Sequence, residues 1–250
     1  MLDNFSTSRS QGTSKRSIES YHYTLDDFIG YPITTQGISS YLSSLTCGNG
    51  KAKFYSCIRA LCNWLYRNGY INKNPITLVS PPKIQRKLLP AVSQEQLEKL
   101  LHHSHYERDK AIMCLLWYSG MRLNECANVL ANDFNWEEGT VVILGKGNKF
   151  RKCLAGNSIV KQWFSEHHSF GMPARGIQVM LQRLGKDTRI HCNPHSFRRG
   201  FCVHQIKSGL STRVVQALGG WERITMVEHY SKSLGFDEAL NLYRQINTPS

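Results

Sequence analysis

A histidine and an arginine stand three apart in Asn193-Pro194-His195-Ser196-Phe197-Arg198. Leu218-Gly219-Gly220-Trp221 follows and, nine residues later, Tyr230. In that order a cation, a ring donor and a phenol form a set able to attack a phosphodiester. A guanidinium holds phosphate oxygens, and an indole N–H donates but cannot accept. A phenol, with a pKa of about 10, becomes a usable nucleophile only beside a phosphate held close by cations. Asn193 can cap a helix whose first position is Pro194, which puts His195 and Arg198 on one face of its first turns. Unpaired backbone N–H groups and the helix dipole already favour an anion there. Arg199 points elsewhere on that helix, toward backbone or an acidic neighbour.

Two cations upstream can join this set. Arg122 lies between Gly120, which stops one helix, and a helix that Asn124 can cap. Such a short turn can present a guanidinium fork to one phosphate, with Glu125 three residues on to fix it. Lys146 stands at the tip of the turn Gly145-Lys146-Gly147-Asn148, where an ammonium can follow and protonate a leaving group. Lys149, Arg151 and Lys152 compete for that role. The turn is not a nucleotide-binding phosphate loop, because no Ser or Thr follows Lys146. Taken singly, each residue has an ordinary explanation: a surface ion pair, a solvated turn lysine, a buried histidine, a core tryptophan, a packed tyrosine. Their order and spacing carry more than any one of them.

The elements that must position these residues read as mainly α with a small β-hairpin sheet, an α+β chain. Residues 1–13 are polar without periodicity and read as a loose arm. Ile18, Tyr21, Leu25, Phe28 and Ile29 recur at helical spacing over residues 14–29, and Pro32 ends that stretch. Thr34 or Thr35 can cap a second helix carrying Ile38, Tyr41, Leu42 and Leu45. A third spans residues 51–68, and Asn74-Pro75 starts a short fourth turn at 76–79. Lys51, Lys53, Arg59, Arg67 and Lys73 fall between the apolar positions, so residues 1–82 make a small basic four-helix domain. Pro81, Pro82, Lys83, Arg86 and Lys87 resist both helix and burial, marking residues 83–89 as a linker. The second domain, 90–250, opens on a capping box at Ser93 and Gln96. Its apolar helix at 106–118 stops at Gly120, and strands at 140–144 and 150–154 flank the glycine-rich turn. Helices follow at 159–167, 173–184, 194–208, 211–218, 225–231 and 236–246, with 232–250 forming a tail.

The totals narrow the function classes. The formal net charge is +13, with 11 Lys and Arg against 4 Asp and Glu in residues 1–89 and 20 against 14 in residues 90–250. Positive charge on both sides of a linker suits a polyanion gripped from two sides. The eight cysteines contain no Cys-x-x-Cys pair and fall mostly in apolar helical patterns. They read as buried reduced thiols, and hence a cytoplasmic protein. The longest strongly apolar run, residues 111–117, is too short to span a bilayer.

Arg122 within Gly-Met-Arg-Leu-Asn-Glu, the Gly-Lys-Gly-Asn-Lys hairpin, His195-x-x-Arg198, Leu-Gly-Gly-Trp221 and Tyr230 resemble the signature of the tyrosine recombinases, the phage-integrase and Xer-type family. The resemblance reaches the N-terminal half through its basic helical domain, Asn-Pro turn and Pro-Lys-rich linker. It implies an N-terminal core-binding domain and a tyrosine-recombinase catalytic domain closing around double-stranded DNA. By the same resemblance Arg122 and Arg198, with His195 and Trp221, hold the scissile phosphate, Glu125 supports, and Lys146 protonates the departing 5′ oxygen. Tyr230 forms a 3′-phosphotyrosyl link, with neither metal, cofactor nor ATP. Lys51, Lys53, Arg59, Lys83, Arg86, Lys87 and Lys149 are the expected DNA contacts. A homo-tetramer on paired sites, joined through the C-terminal tail, and a nucleoid-associated location follow as expectations. Trp221 stands where most members carry histidine, Arg199 where many carry a second histidine, and residues 154–194 are short for the family. Two alternatives stay open: relaxation of supercoils by the same chemistry, in the manner of a type IB topoisomerase, and sequence-specific DNA binding without catalysis.

Overall fold

Helix starts follow the capping side chains. Ser14 Oγ accepts the Ser17 N–H at 3.3 Å and Thr34 Oγ1 the Gly37 N–H at 3.1 Å, opening α2 (Lys15–Asp26) and α3 (Thr35–Ser44). The computed structural model describes residues 2–84, 89–145, 149–231 and 235–247. The chain forms two units, Met1–Lys87 and Leu88–Ser250.

In the first unit α2 and α3 join α1 (Leu2–Ser10), α4 (Lys51–Arg67) and a 3₁₀ turn (Pro75–Leu78) around a core that includes Leu25, Ile38, Tyr41, Ile58 and Leu65. The expected loose arm is corrected by α1. Its anchor is Phe5, fully buried, with ring centroids 5.4 Å from Tyr21 and 5.8 Å from Trp64 in edge-on geometry. One aromatic ring in a polar stretch creates no periodicity, so the helix depends on tertiary packing that local pattern does not show. α2 ends at Asp26, short of the expected 29, and leaves Ile29 exposed.

The second unit opens with α5 (Gln94–His103), where Ser93 and Gln96 form the capping box in both directions. Next comes α6 (Glu107–Ser119), buried on almost every face and stopped by Gly120 at φ 62°. In α7 (Leu123–Asn128) the N-cap position is Arg122, not the expected Asn124, which sits inside the first turn. The Glu125 carboxylate, at the third helical position, reaches back to accept the Arg122 N–H at 2.7 Å, as the acidic member of a capping box does. Strands β1 (Phe134–Asn135), β2 (Thr140–Leu144) and β3 (Phe150–Leu154) form an antiparallel sheet in that order, with Ile143 opposite Arg151 and Val141 opposite Cys153. β1 was not expected, since two residues cannot show alternation. The remaining helices are α8 (Ser158–Glu166), α9 (Ala174–Thr188), α10 (Pro194–Lys207), α11 (Thr212–Gly219), α12 (Ile224–Ser231) and α13 (Phe236–Asn247).

The helix that organises this unit is α10. Phe197 packs in the larger core with Trp117 and Met121, while Phe201, Cys202 and Ile206 pack in a second cluster with Val215, Trp221 and Val227. Arg198 follows Phe197 and is therefore fixed at the junction of the two cores.

Candidate active site

Four residues from three elements, α7, β3 and α10, meet at that junction. Arg198 is buried, and its Nη1 donates to the carbonyl of Gly120 at the end of α6. Arg122, at the start of α7, donates Nη1 to Glu125 Oε1 at 2.8 Å and Nη2 to the carbonyl of Gly220 at 3.4 Å. Glu125, its side chain only 4% exposed, also accepts Arg151 Nη2 at 2.8 Å through Oε2. Arg151 Nη1 donates in turn to Cys153 Sγ at 2.7 Å. One buried carboxylate thus holds two guanidiniums, with a third nearby. Burial would raise the Glu125 carboxyl, but the Arg122 N–H and the two guanidiniums outweigh it and hold the group below the usual carboxylate range. Burial, with the Arg122 and Arg151 charges beside it, pushes the Arg198 guanidinium down to about 10, so it stays charged at neutral pH. Its Nη2 is buried and has no partner, as is Arg151 Nε. Buried donors of this kind are costly without an acceptor.

The second half of the site is aromatic. The Arg198 guanidinium carbon lies 4.1 Å from the centroid of the Trp221 ring, a cation–π contact in a desolvated setting. Gly219 makes room for that ring: a Cβ there would stand 1.9 Å from the indole. Gly220 adopts φ 62° to end α11, and a Cβ on it would meet Arg151 Nη1 at 2.7 Å. Tyr230, half-buried on α12, has its ring 6.4 Å from that of Trp221. Burial pushes its phenol up, while Arg199 and Arg198 pull it back. His195 is exposed on the first turn of α10, which Asn193 caps by accepting the Ser196 N–H at 2.9 Å. Partial desolvation and the Arg199, Arg198 and Arg122 charges lower its imidazole below the ordinary value, leaving it neutral at neutral pH.

Buried guanidiniums with an unpartnered nitrogen, a neutral imidazole and a phenol within one junction suit an oxyanion whose charge grows during reaction. Residues 90–235 match the phage integrase family. The chain belongs to that family of tyrosine recombinases. This bears out the resemblance carried by the motif residues. Tyrosine recombinase XerD of Staphylococcus haemolyticus is 24% identical over 254 residues, spanning 88% of this chain and 86% of that protein. Tyrosine recombinase XerC of Haemophilus influenzae is 29% identical over 213 residues, spanning 76% and 72%. A lambda integrase dimer bound to a COC′ core site superposes with a TM-score of 0.77 at 16% identity, covering 94% of this chain and 95% of that one. The last likeness is one of fold.

In this integrase-family chain Arg122, Glu125, Arg198 and Trp221 share one network, with Tyr230 beside Trp221 and His195 exposed on the first turn of α10, the helix that carries Arg198. Lys146 lies outside the described residues, as do Arg86 and Lys87. The expected DNA contacts on α4 are not drawn to a single face. Arg59 follows Lys53 by six residues, about 240° round the helix. Lys53 lies over the ring of Tyr23 at 5.7 Å and Arg59 over that of Tyr55 at 5.8 Å. Lys51 is half-buried, and Lys83 and Lys149 are exposed.

Arg151 is the site residue that sequence reasoning named only as a competitor. The available signal was strand alternation: Arg151 and Cys153 share the inward face of β3, and an arginine on an inward face requires an acidic partner. Seven cysteines are buried free thiols and Cys47 is exposed. Among the described residues no group of His, Cys, Asp and Glu is placed to hold a metal ion, and no helix is long and apolar enough to cross a membrane.

Proposed function

We propose that this chain is a site-specific DNA recombinase that cuts and rejoins strands of duplex DNA through a 3′-phosphotyrosyl intermediate on Tyr230. The observation that carries the reading is the buried, unpartnered Nη2 of Arg198, stacked on Trp221 and flanked by Arg122. A scissile phosphate supplies the acceptor which that nitrogen needs. Arg122 and Arg198 hold the two non-bridging oxygens, and His195 and Trp221 add neutral donors. The Tyr230 oxygen bonds to phosphorus as the bond to the 5′ oxygen breaks. The phenol gives up its proton to solvent, and the departing oxygen gains one from Lys146. Because the phosphotyrosyl bond keeps the energy of the phosphodiester, rejoining to another strand needs no ATP.

The same reading extends to assembly: α13 joins protomers into a tetramer on paired sites. Phe236 and Tyr243 on that helix are 80% and 64% exposed, which supports a helix that packs on a second copy. The protein is expected to shift to a tetramer in sedimentation on DNA carrying two sites, but not on one.

The test begins with duplexes selected by the protein from a random pool. A nicked version of the selected site should trap a covalent protein–DNA adduct with the wild-type chain and none with Tyr230→Phe. An adduct with Tyr230→Phe means another nucleophile, and Tyr243 is the next tyrosine to replace. Plasmids carrying two sites should yield recombinants; relaxation alone, independent of sequence, refutes strand exchange.

A further inference from the structure

Arg199 has no place in the phosphate clamp, yet it is as buried as Arg198. Its Nε donates to the carbonyl of Pro90 at 2.8 Å. That carbonyl belongs to a tightly laced segment. The Val92 N–H donates to Ser196 O at 3.0 Å, and Trp117 Nε1 donates to Val92 O at 3.1 Å. Gly200 permits the approach, since a Cβ there would stand 2.3 Å from Val92 O. Arg199 is thus pinned to a rigid point. Arg199 also lines a cavity of about 240 Å³, together with Pro90, Val203, Lys207 and Tyr230. A guanidinium suits this double duty, because one nitrogen can hold an anchor while the delocalised charge still acts on Tyr230.

We infer that Arg199, anchored on Pro90, is a positioning residue for the nucleophile, holding a fixed positive charge across the cavity from the Tyr230 phenol so that the phenolate is favoured. The inference rests on the reading of Tyr230 as the nucleophile. Tyr230 shares its surroundings with other ionisable groups. From α10 these are Arg198, Cys202 and Lys207, and on its own helix His229, whose ring is 5.8 Å away. Burial pushes the Cys202 thiol up to about 12, so it is neutral. Arg198 is already engaged by Gly120 and Trp221. α11 carries Arg213, which bonds Gln216 at 3.0 Å, and the Leu89–Ala91 wall has no ionisable side chain. Arg199 is the foremost of the cations that oppose the burial of the phenol. In the cleavage step the Tyr230 oxygen loses its proton and bonds to phosphorus while the bond to the 5′ oxygen breaks. A charge that favours the phenolate therefore raises the rate at any pH below the phenol's own pKa.

The experiment follows adduct formation on the nicked selected duplex from pH 6 to 10 for wild type, Arg199→Gln and Arg199→Lys, with thermal melting of each. For Arg199→Gln the acid limb should move up by about one pH unit, costing roughly tenfold in rate near pH 7, and the curve should meet wild type at high pH. Arg199→Lys should retain most of the wild-type profile. Replacing Tyr230 with 3-fluorotyrosine, whose phenol ionises at lower pH, should restore Arg199→Gln near pH 7. A loss that is uniform across pH, or no rescue by 3-fluorotyrosine, overturns the inference and leaves Arg199 a structural link to Pro90. An adduct with Tyr230→Phe would instead remove the reading beneath it.

Discussion

Replacing Glu125 by glutamine keeps the shape of the side chain and removes its charge. Glu125 Oε1 accepts Arg122 Nη1, and Oε2 accepts both the Arg122 N–H and Arg151 Nη2. A glutamine has one oxygen. Whichever way its amide is turned, an NH₂ group faces a donor, and at least one of the three bonds is lost. Each charge-assisted bond contributes about 1.5–3 kcal/mol, and breaking a buried ion pair from one side costs about 3–5 kcal/mol. The expected loss is therefore about 3 kcal/mol in the unit Leu88–Ser250. For a unit of that size this lowers Tm by roughly 6–12 °C. Tryptophan fluorescence reads this unit well, since Trp117, Trp136, Trp163 and Trp221 lie within it and only Trp64 outside.

The difference between the two proteins should also depend on pH. The carboxyl of folded Glu125 is held below its unfolded value. Its contribution is therefore fully present above the ordinary carboxylate range, at about pH 5 and higher, and is lost as pH falls through the depressed folded value. Arg122 loses its brace as well, and a displacement of about 1 Å at a reacting centre can cost roughly a hundredfold in rate. Adduct formation should fall by about that factor. Equal melting at pH 7 together with an unchanged adduct rate would refute the argument that Glu125 braces the clamp.

Two further substitutions test neighbouring parts of the argument. Gly219→Ala places a methyl group where the Trp221 ring lies, so the indole must leave Arg198. Adduct formation should drop more than about tenfold, and a wild-type rate would show that the stack has no part in the reaction. Phe5→Ala should destabilise the first unit by about 3–5 kcal/mol, because the ring is fully buried between Tyr21 and Trp64. A melting curve identical to wild type would return residues 2–10 to the status of an arm.

What could be read from the sequence, and what could not, follows from the range of the forces involved. Caps act over three or four residues, so Ser93 and Asn193 marked helix starts that the structure places at the same positions, and of Thr34 and Thr35 it is Thr34 that caps. The two longer strands have the expected bounds because the glycine-rich turn sits between alternating residues. Long-range partners left no local trace. Arg151 meets Glu125 across 26 residues, and Arg199 meets Pro90 across 109. Arg199 was expected to touch backbone or an acid, and only the fold decides for the Pro90 carbonyl. The helix around Phe5 was missed for the same reason, since its stabilising contacts lie on α2 and α4 rather than in its own periodicity.

The two clamp arginines share a further property. Arg198 donates to the carbonyl of Gly120 and Arg122 to that of Gly220, and each glycine ends a helix in the left-handed conformation. Helix C-termini carry partial negative charge, so each guanidinium already has a weak internal counter-ion. On the proposed reading, an incoming phosphate oxygen adds to the unpartnered nitrogen of Arg198, but elsewhere it competes with bonds that exist before it arrives. Binding is in that respect an exchange of acceptors and not a pure gain. Such a site can release its phosphate as readily as it takes it up, which is what a reversible reaction with equal bonds on both sides demands. An arginine pair without those carbonyls would grip harder and turn over more slowly.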